Sequence, residues 1–471
     1  MEKLDWTPLY HQVPEWFMDA KFGMFFHWGP YSVPAYQNEW YSRNMYAKGL
    51  PQNVWHVQKY GKLKDFGYKD FYPGMTGAAF DPDEWADLAF RAGARYAGAV
   101  TEHADNFSMW DSAVNPVNSV NYGPKRDVVG QVATAMRKKG IKMFSSFHHQ
   151  WMWGWFMSTD NEADVYDPVN EKFYGPCLPL ETNRYIPYRL PDDAFCQNWL
   201  DKVKEVVEKY RPEALYFDSR TNVINEQYRY AMAEHYYKVV PEGIITYKQN
   251  DIPEHVGVLD IERGYFSQAK PFFWQTDDRL EDNITWCMVQ EPKYRPAKAV
   301  IWQLVDIVAK NGCLLLNVGP YADGSFHEAA KKELYAIGDW LKTNGEAIYG
   351  TRPWRIAQEG DVNADDENYD VSRIEAQLEE GYESTDSHRG DFTHRDFRFT
   401  CTDDAVYAIA LGFPKDRKYL IKSINQRVEK VELLGYNTPL TFERTDKGLL
   451  VQLPENTPGQ HAWTLKITGE S

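Results

Sequence analysis

The feature that most constrains the fold is a repeated alternation between residues 20 and 345, where short apolar runs are followed by amphipathic helical patterns. This order is typical of parallel strands joined by crossover helices. Eight runs closing on themselves would make a parallel barrel, so we predict an α/β fold with a (β/α)8-like barrel. The runs are KFGMFF from Lys21, RYAGAV from Arg95, IKMFSSF from Ile141, ALYF from Ala214, GIITY from Gly243, GVLDI from Gly257, FFWQ from Phe272 and CLLLNV from Cys313.

The helix before the second run has clear end signals. Asp81 is a good N-cap residue, Pro82 suits the first turn, and Gly93 suits the residue just past the last turn. Similar patterns predict helices over residues 195–210 and 328–344. Each of these helices leads the chain to its next element.

The pattern changes after Ile348. The segments VYAIALGF, KYLIKSI, KVELLGY and LLVQLP alternate apolar and polar residues between turn residues, which predicts a β-sandwich. The acidic stretch 360–386 lacks such a pattern and is predicted to be a surface loop. We therefore predict a barrel domain at residues 1–348 and a C-terminal antiparallel β-sandwich at residues 349–471.

Composition limits the classes of partner. The chain has 52 Lys+Arg and 68 Asp+Glu, a net charge of −16, which disfavours nucleic acid and anionic membranes because both bind basic surfaces. Aromatic residues make up 15%, including 17 Trp and 31 Tyr; most must fill the core, but such rings also stack well on sugars. An oligosaccharide or polysaccharide is therefore the predicted partner.

Polar residues follow each apolar run, where the active sites of parallel barrels lie. Asp218 directly follows ALYF, so the sheet would hold its backbone while its side chain enters the mouth of the barrel. Glycoside hydrolysis uses two carboxyl groups, and Asp218 suits one of them. Its alternative role is to cap the following helix. The whole set comprises His27, Trp28, Glu102, His103, Asp105, His148, His149, Asp218, Lys248, Asp260, Glu262, Arg263, Asp277, Asp278 and Asn317.

A metal-dependent barrel hydrolase is a competing interpretation, because His27, His103, Asp218 and nearby carboxylates at the strand ends could also ligate a metal. No HxH pair follows the first run, and the adjacent His148 and His149 would face opposite ways on a strand. Five scattered cysteines without a CxxC pair predict neither a disulfide framework nor a zinc finger. We predict no metal and no cofactor.

Several separated segments together resemble glycoside hydrolase family 29, the α-L-fucosidases, over about residues 10 to 355. The resemblance is specific as an ordered set, and the C-terminal part is similar only in being β-rich. The segments are WFMDAKFGMFFHWGPYSVPA from Trp16, NEWY from Asn38, GARYAGAVTEHADNFSMWDS from Gly93, ALYFD from Ala214, LVDIVAKNGCLLLNVGPYADGS from Leu304 and GDWLKTNGEAIYGTRPW from Gly338.

The resemblance implies a retaining exo-α-L-glycosidase, and most directly an α-L-fucosidase, that works by double displacement with Asp218 as the nucleophile. It also implies that Trp286 packs near the C5 substituent of the sugar. Four further residues fall on family positions that bind the sugar hydroxyls: His27, Glu39, Trp40 and His103.

The position of the general acid/base varies within this family, and residues 256–286 hold several carboxylates. Glu262, just past the sixth run, is the first choice. Glu281 is its main rival, and Glu39 and Glu102 are weaker candidates.

Three departures from the family pattern bear on the substrate. Ala104 stands where a second histidine is usual, Lys248 stands where an arginine is common, and His148 or His149 stands near an expected tyrosine. The loss of a side chain at Ala104 predicts extra space in the pocket. An α-L-galactosidase acting on plain, 6-substituted or sulfated L-galactose is therefore an alternative, and a non-catalytic carbohydrate-binding barrel is a third.

The sequence says less about location and assembly. The start MEKLDWTPLY has no basic segment followed by an apolar one. The compartment is left open, because the protein would be periplasmic or secreted if a signal peptide has been removed and cytoplasmic otherwise. No apolar run approaches the length of a membrane span. A monomer and an oligomer are both compatible with the sequence.

Overall fold

The computed structural model describes residues 3–175, 177–178, 190–360 and 392–469. Its central element is a closed barrel of eight parallel strands in chain order, in which β8 pairs with β1. All eight predicted runs form these strands, so the predicted barrel is confirmed. The strands are β1 (Phe22–Phe26), β2 (Tyr96–Glu102), β3 (Lys142–Phe147), β4 (Ala214–Phe217), β5 (Ile244–Lys248), β6 (Val258–Asp260), β7 (Trp274–Arg279) and β8 (Gly312–Asn317).

The helices complete a (β/α)8-like pattern with two gaps, because the described residues 249–257 and 261–273 contain no helix. These two connections lie on either side of β6, whose three residues make it the shortest barrel strand. The helices of the described residues are α1 (Glu15–Ala20), α2 (Tyr41–Asn44), α3 (Pro51–Tyr60), α4 (Pro82–Ala92), α5 (Val128–Lys138), α6 (Glu171–Tyr174), α7 (Asp193–Tyr210), α8 (Glu226–Val239), α9 (Ala297–Ala309) and α10 (Glu328–Asn344).

The end signals of α4 act as predicted. The Asp81 side chain accepts a hydrogen bond from the amide of Asp83 at 2.9 Å, which satisfies a donor of the first turn. Gly93 ends the helix with φ 94°, a left-handed conformation that glycine adopts at little cost. The chain then enters β2, whose seven residues are all buried.

Alternate strand residues fill the barrel below its mouth. Phe25, Tyr96, Phe144 and Tyr216 come from β1 to β4 and belong to one buried cluster. The residues between them point outwards and join the larger core under the helices. Because successive strand residues face opposite sides, this packing also decides which polar residues at the strand ends face the mouth.

The C-terminal part forms two antiparallel sheets of five and three strands, in the orders β13-β16-β11-β10-β9 and β12-β15-β14. Their facing side chains make one shared apolar core, so the predicted β-sandwich is confirmed. The predicted acidic loop lies almost entirely outside the described residues. The strands are β9 (Arg352–Glu359), β10 (Phe397–Cys401), β11 (Val406–Ala410), β12 (Lys418–Ile421), β13 (Val428–Leu433), β14 (Phe442–Thr445), β15 (Gly448–Gln452) and β16 (Trp463–Gly469).

The sandwich packs against the last two barrel helices. Asp306 of α9 bonds to Lys310 at 2.8 Å and to Arg398 of β10 at 2.5 Å. The indole of Trp340 on α10 donates to the carbonyl of Ala462 at 2.9 Å. No helix in the described part of the chain combines the length and apolar character that a membrane span requires.

Candidate active site at the carboxyl end of the barrel

A cavity of about 360 Å³ opens where the barrel strands end, a size within the range of small-molecule sites. Residues at the ends of β1 to β7 line its interior, and residues around α2 and α3 form part of its rim. It contains nine of the eleven residues for which the sequence predicts a site role: His27, Glu39, Trp40, His103, His148, Asp218, Lys248, Glu262 and Trp286.

The Lys248 ammonium is the centre of the polar network. Its Nζ lies 3.2 Å from Asp218 Oδ1, 2.8 Å from Glu262 Oε2 and 3.2 Å from Asp277 Oδ2. Lys248 is the last residue of β5 and its side chain is only 5% exposed. Burial disfavours its charge, but the carboxylates raise its pKa well above the ordinary value. The ammonium is therefore a permanent cation under the pocket.

Asp218 is held as a carboxylate. Burial would raise its pKa, but the Lys248 ammonium and the hydrogen bond with His148 outweigh it and bring the pKa well below the ordinary value. His148 Nδ1 lies 3.4 Å from Asp218 Oδ2. The backbone is fixed as well, because the Asp218 amide donates to the carbonyl of Phe147 on β3 at 3.1 Å.

A second pair of carboxyl groups lies beneath Lys248. Burial and the charge of Asp277 raise the pKa of Asp260 well above its ordinary value, and Asp260 bonds to Asp277. Tyr216 donates to Asp277 Oδ2 at 3.0 Å and Gln275 donates to Asp260 Oδ2 at 2.6 Å. Asp260 thus keeps its proton, which limits the negative charge around one ammonium.

Three histidines form one wall of the pocket. His27, His103 and His148 follow β1, β2 and β3 and are 3%, 6% and 5% exposed. The rings of His103 and His148 stack with centroids 4.8 Å apart, and the nitrogens that the three residues offer all lie within 4.8 Å of one another. His27 Nδ1 lies 2.7 Å from Asn317 Oδ1 of β8. Among the described residues these three histidines form a potential metal-ligand group. Close spacing in the sequence does not reveal it, because each histidine follows a different strand.

An adjoining part of the pocket wall contains Glu39 and Trp286. Glu39 Oε2 accepts the backbone N–H of Trp286 at 2.9 Å. Burial raises the pKa of Glu39 to about 7, although that hydrogen bond opposes the shift. The Trp286 ring lies 5.6 Å from the His27 ring between centroids, so an apolar face stands beside the histidine wall.

The structure does not bring His149 to the pocket. Strand β3 ends at Phe147, and His149 begins a short 3₁₀ turn that directs its ring onto Trp199, with centroids 5.7 Å apart. Its Nε2 lies 3.3 Å from the Trp199 carbonyl. Of the adjacent pair, His148 alone lines the pocket.

Glu281 also lies outside the pocket lining. Its Oε1 accepts the amide of Gly319 at 2.8 Å and the residue is 1% exposed. Burial raises its pKa to about 8. By contrast, the Glu262 side chain lines the pocket and is 23% exposed.

Ala104 does not open space in the pocket, contrary to the sequence-based expectation. It is 1% exposed and belongs to the large apolar core beneath the helices. The turn after β2 points position 104 away from the mouth, while His148 stacks on His103. The expected enlargement at this position is therefore wrong.

Other pocket residues were not predicted, or were predicted in a different position. Tyr216 precedes Asp218 by two residues, so the alternation of a strand would have assigned it to the same face. Asp277 and Asp278 lie within β7 and not after it; Asp277 faces the pocket, whereas Asp278 bonds to Arg295 at 2.8 Å. Trp151, in the turn after β3, also lines the pocket.

A parallel barrel with carboxyl groups gathered at its carboxyl end is the arrangement that a barrel-type glycoside hydrolase requires. Comparison with known proteins shows which one: the α-L-fucosidase family profile matches residues 2–346, and that of the α-L-fucosidase C-terminal domain matches residues 390–468. The chain belongs to the α-L-fucosidase family, and the predicted resemblance and enzyme class are confirmed.

Individual relatives align with nearly the whole chain. Tissue α-L-fucosidase of Homo sapiens is 30% identical over 489 aligned residues, covering 99% of this chain and 91% of the relative. Plasma α-L-fucosidase of Rattus norvegicus is 28% identical, with 99% and 93% covered. Among solved structures, the Thermotoga maritima α-fucosidase in complex with a mechanism-based inhibitor has a TM-score of 0.78, 26% identity and full coverage of both chains.

The buried state of Glu281 predicts a pH-dependent stability. Its pKa is raised to about 8 in the folded protein and is about 4.3 in an unfolded chain. Between these values the unfolded chain releases the proton while the folded chain keeps it, so this group's contribution to stability falls as pH rises from 5 to 8. Glu281→Gln cannot titrate. Its free energy of unfolding, measured in urea, should therefore rise relative to that of wild type by up to about 1.4 kcal/mol per pH unit in this window.

Glu455→Gln is the matched control, because that side chain is 88% exposed; its difference from wild type should stay within about 0.5 kcal/mol at every pH. A constant difference between Glu281→Gln and wild type from pH 5 to 8 would contradict the buried, protonated carboxyl.

Proposed function

We propose that the protein removes terminal α-L-fucose from glycans with retention of configuration, using Asp218 as nucleophile and Glu262 as general acid/base. One observation carries this proposal. Both carboxyl groups contact the same Lys248 ammonium, at 3.2 and 2.8 Å, so the two contacting oxygens are at most about 6 Å apart. Retaining glycosidases hold their carboxyl groups about 5–5.5 Å apart, and inverting ones about 6.5–9.5 Å.

Asp218 has the properties of the attacking group. It is ionised, lies at the end of β4 and keeps 19% of its side chain exposed to the cavity. In the first step one of its oxygens forms a bond to the anomeric carbon while the bond to the leaving oxygen breaks. In the second step water cleaves the resulting ester and restores the carboxylate.

Glu262 is the better acid/base candidate on geometric grounds. It protonates the leaving oxygen in the first step and takes the proton from water in the second. Both steps need access to the pocket, which Glu262 has. Glu281 is enclosed and bonded to the Gly319 amide, which supports a structural role for the rival.

The remaining walls suit recognition of one sugar unit. We propose that the polar groups around the nucleophile bind the sugar hydroxyls, and that Trp286 contacts the C5 substituent. The histidine wall is buried, whereas side chains at the rim such as Ile284 are exposed. A pocket closed at its inner end supports hydrolysis of the terminal sugar of a chain. The proposed hydroxyl-binding residues are His27, Glu39, Trp40, His103, His148 and Lys248.

The two domains have separate roles in this proposal. Residues 1–348 carry the reaction, and residues 349–471 form a supporting domain. The buried bond between Asp306 and Arg398 supports a fixed attachment of the second domain to the first.

The substrate test compares an aryl α-L-fucoside with the matching aryl α-L-galactoside. Because Ala104 adds no space, the C6 hydroxyl of L-galactose would be buried beside Trp286 without a new partner, which costs about 1–3 kcal/mol. We therefore expect kcat/KM for the fucoside to be at least about tenfold higher.

A galactoside hydrolysed as fast as the fucoside would favour the α-L-galactosidase alternative. Absence of turnover on any aryl α-L-glycoside would favour a non-catalytic barrel. An aryl β-D-galactoside, which differs in ring configuration, serves as the negative control.

The acid/base assignment predicts a dependence on the leaving group. Glu262→Gln should lower kcat/KM by about 10²–10⁴ for a fucosyl disaccharide, whose leaving oxygen needs a proton. The loss should be much smaller for a dinitrophenyl fucoside, whose leaving group departs without one. A loss that came only from the broken bond to Lys248 would affect both substrates equally.

Glu281→Gln is the matched variant and should keep activity on both substrates. Activity lost in Glu281→Gln and kept in Glu262→Gln would reverse the assignment.

A further inference from the structure

The histidine wall, which the proposed function assigns to sugar hydroxyls, also presents nitrogen atoms that can act as metal ligands. His27 Nδ1 faces Asn317 Oδ1, and the same oxygen accepts the His27 backbone N–H at 3.2 Å. Asn317 Nδ2 in turn donates to the carbonyl of Trp286 at 2.6 Å. This chain of bonds assigns the proton of His27 to Nδ1 and leaves Nε2 with a free lone pair.

The other two histidines also have nitrogens without a protein partner. Among the described residues, His103 Nδ1 and His148 Nε2 are buried and make no hydrogen bond. His148 Nδ1 faces the Asp218 carboxylate at 3.4 Å, which is the kind of outer contact that orients a metal-binding imidazole.

The Asp218 carboxyl group lies beside the histidine wall and supplies an acidic neighbour for a bound cation. Lys248 bonds to the Oδ1 side of that carboxylate, whereas His148 faces Oδ2.

We propose that His27, His103 and His148 form a binding site for one borderline divalent cation, Zn²⁺, Cu²⁺, Ni²⁺ or Co²⁺, which occupies the pocket in place of the sugar. Imidazole is the preferred ligand of this class of ion. Two nitrogens bound to a tetrahedral Zn²⁺ are about 3.4 Å apart, with metal–nitrogen bonds of about 2.1 Å. The nitrogens lie within 4.8 Å of one another, so small ring rotations complete the site.

The fourth position is available to water. A cation bound there takes the space of the sugar and neutralises the carboxylate that attacks it. The site is therefore inhibitory. The inhibition, though not the metal binding itself, rests on the proposed function.

Direct binding of Co²⁺ is the primary test, because its visible absorption reports nitrogen ligation without any need for activity. The whole chain is used without a polyhistidine tag. We expect one Co²⁺ per chain, displaced by Zn²⁺, with affinity at least tenfold lower in His103→Gln and in His148→Gln. His149→Gln is the matched control, because its ring packs on Trp199 outside the pocket, and it should bind Co²⁺ as wild type does.

Competition tests whether the cation and the sugar occupy the same site. L-Fucose at saturating concentration should weaken Co²⁺ binding at least tenfold, and Zn²⁺ should inhibit aryl fucoside hydrolysis competitively and reversibly on addition of a chelator. Thermal denaturation followed by circular dichroism confirms that each variant is folded.

Three outcomes would overturn the proposal. The first is no Co²⁺ binding at millimolar concentration by an enzyme that hydrolyses the fucoside, which leaves the proposed function intact. The second is unchanged affinity in both folded histidine variants. The third is binding that L-fucose does not affect, which rejects a cation in place of the sugar and also counts against the proposed sugar pocket.

Discussion

The interaction on which the rest of the site depends is the triple contact of one buried ammonium with three carboxyl groups. Lys248 bonds to Asp218, Glu262 and Asp277, so it holds the two proposed catalytic groups at a fixed separation. A buried charge without partners is very costly, and a single cation cannot balance every carboxylate around it. The proton kept by Asp260 reduces that imbalance. The three donors of the ammonium, unlike those of a guanidinium, are not confined to one plane.

The barrel supplies this arrangement through strand register. Parallel strands end at one rim, and the alternation of side chains decides which end residues face inwards. Asp277 and Asp278 illustrate the rule, since one contacts Lys248 and the other bonds to Arg295 outside the pocket. Short connections on either side of β6 leave Glu262 near the cavity, directly after the shortest strand.

Much of this site could be predicted because it depends on local pattern. The eight apolar runs identified the strands, and their ends identified His27, Asp218 and Lys248. The prediction failed for residues in the turns that follow the strands. At His149 and Ala104 the turn directs the side chain away from the pocket, whereas strand alternation or family position would place it inside. The sequence indicated His27 and His103 as possible metal ligands, but it did not group them with His148, because the three residues follow different strands and become neighbours only when the barrel closes.

The most direct test of the central claim is to trap the covalent intermediate. A 2-deoxy-2-fluoro-α-L-fucosyl donor with a good leaving group should slow the second step and leave one fluorofucosyl group on the enzyme. Intact-mass and peptide mass spectrometry should place that group on Asp218 in wild type, with no label in Asp218→Asn. A label on another carboxylate such as Glu262 or Glu281, or no label on an enzyme that turns over the donor, would contradict the account.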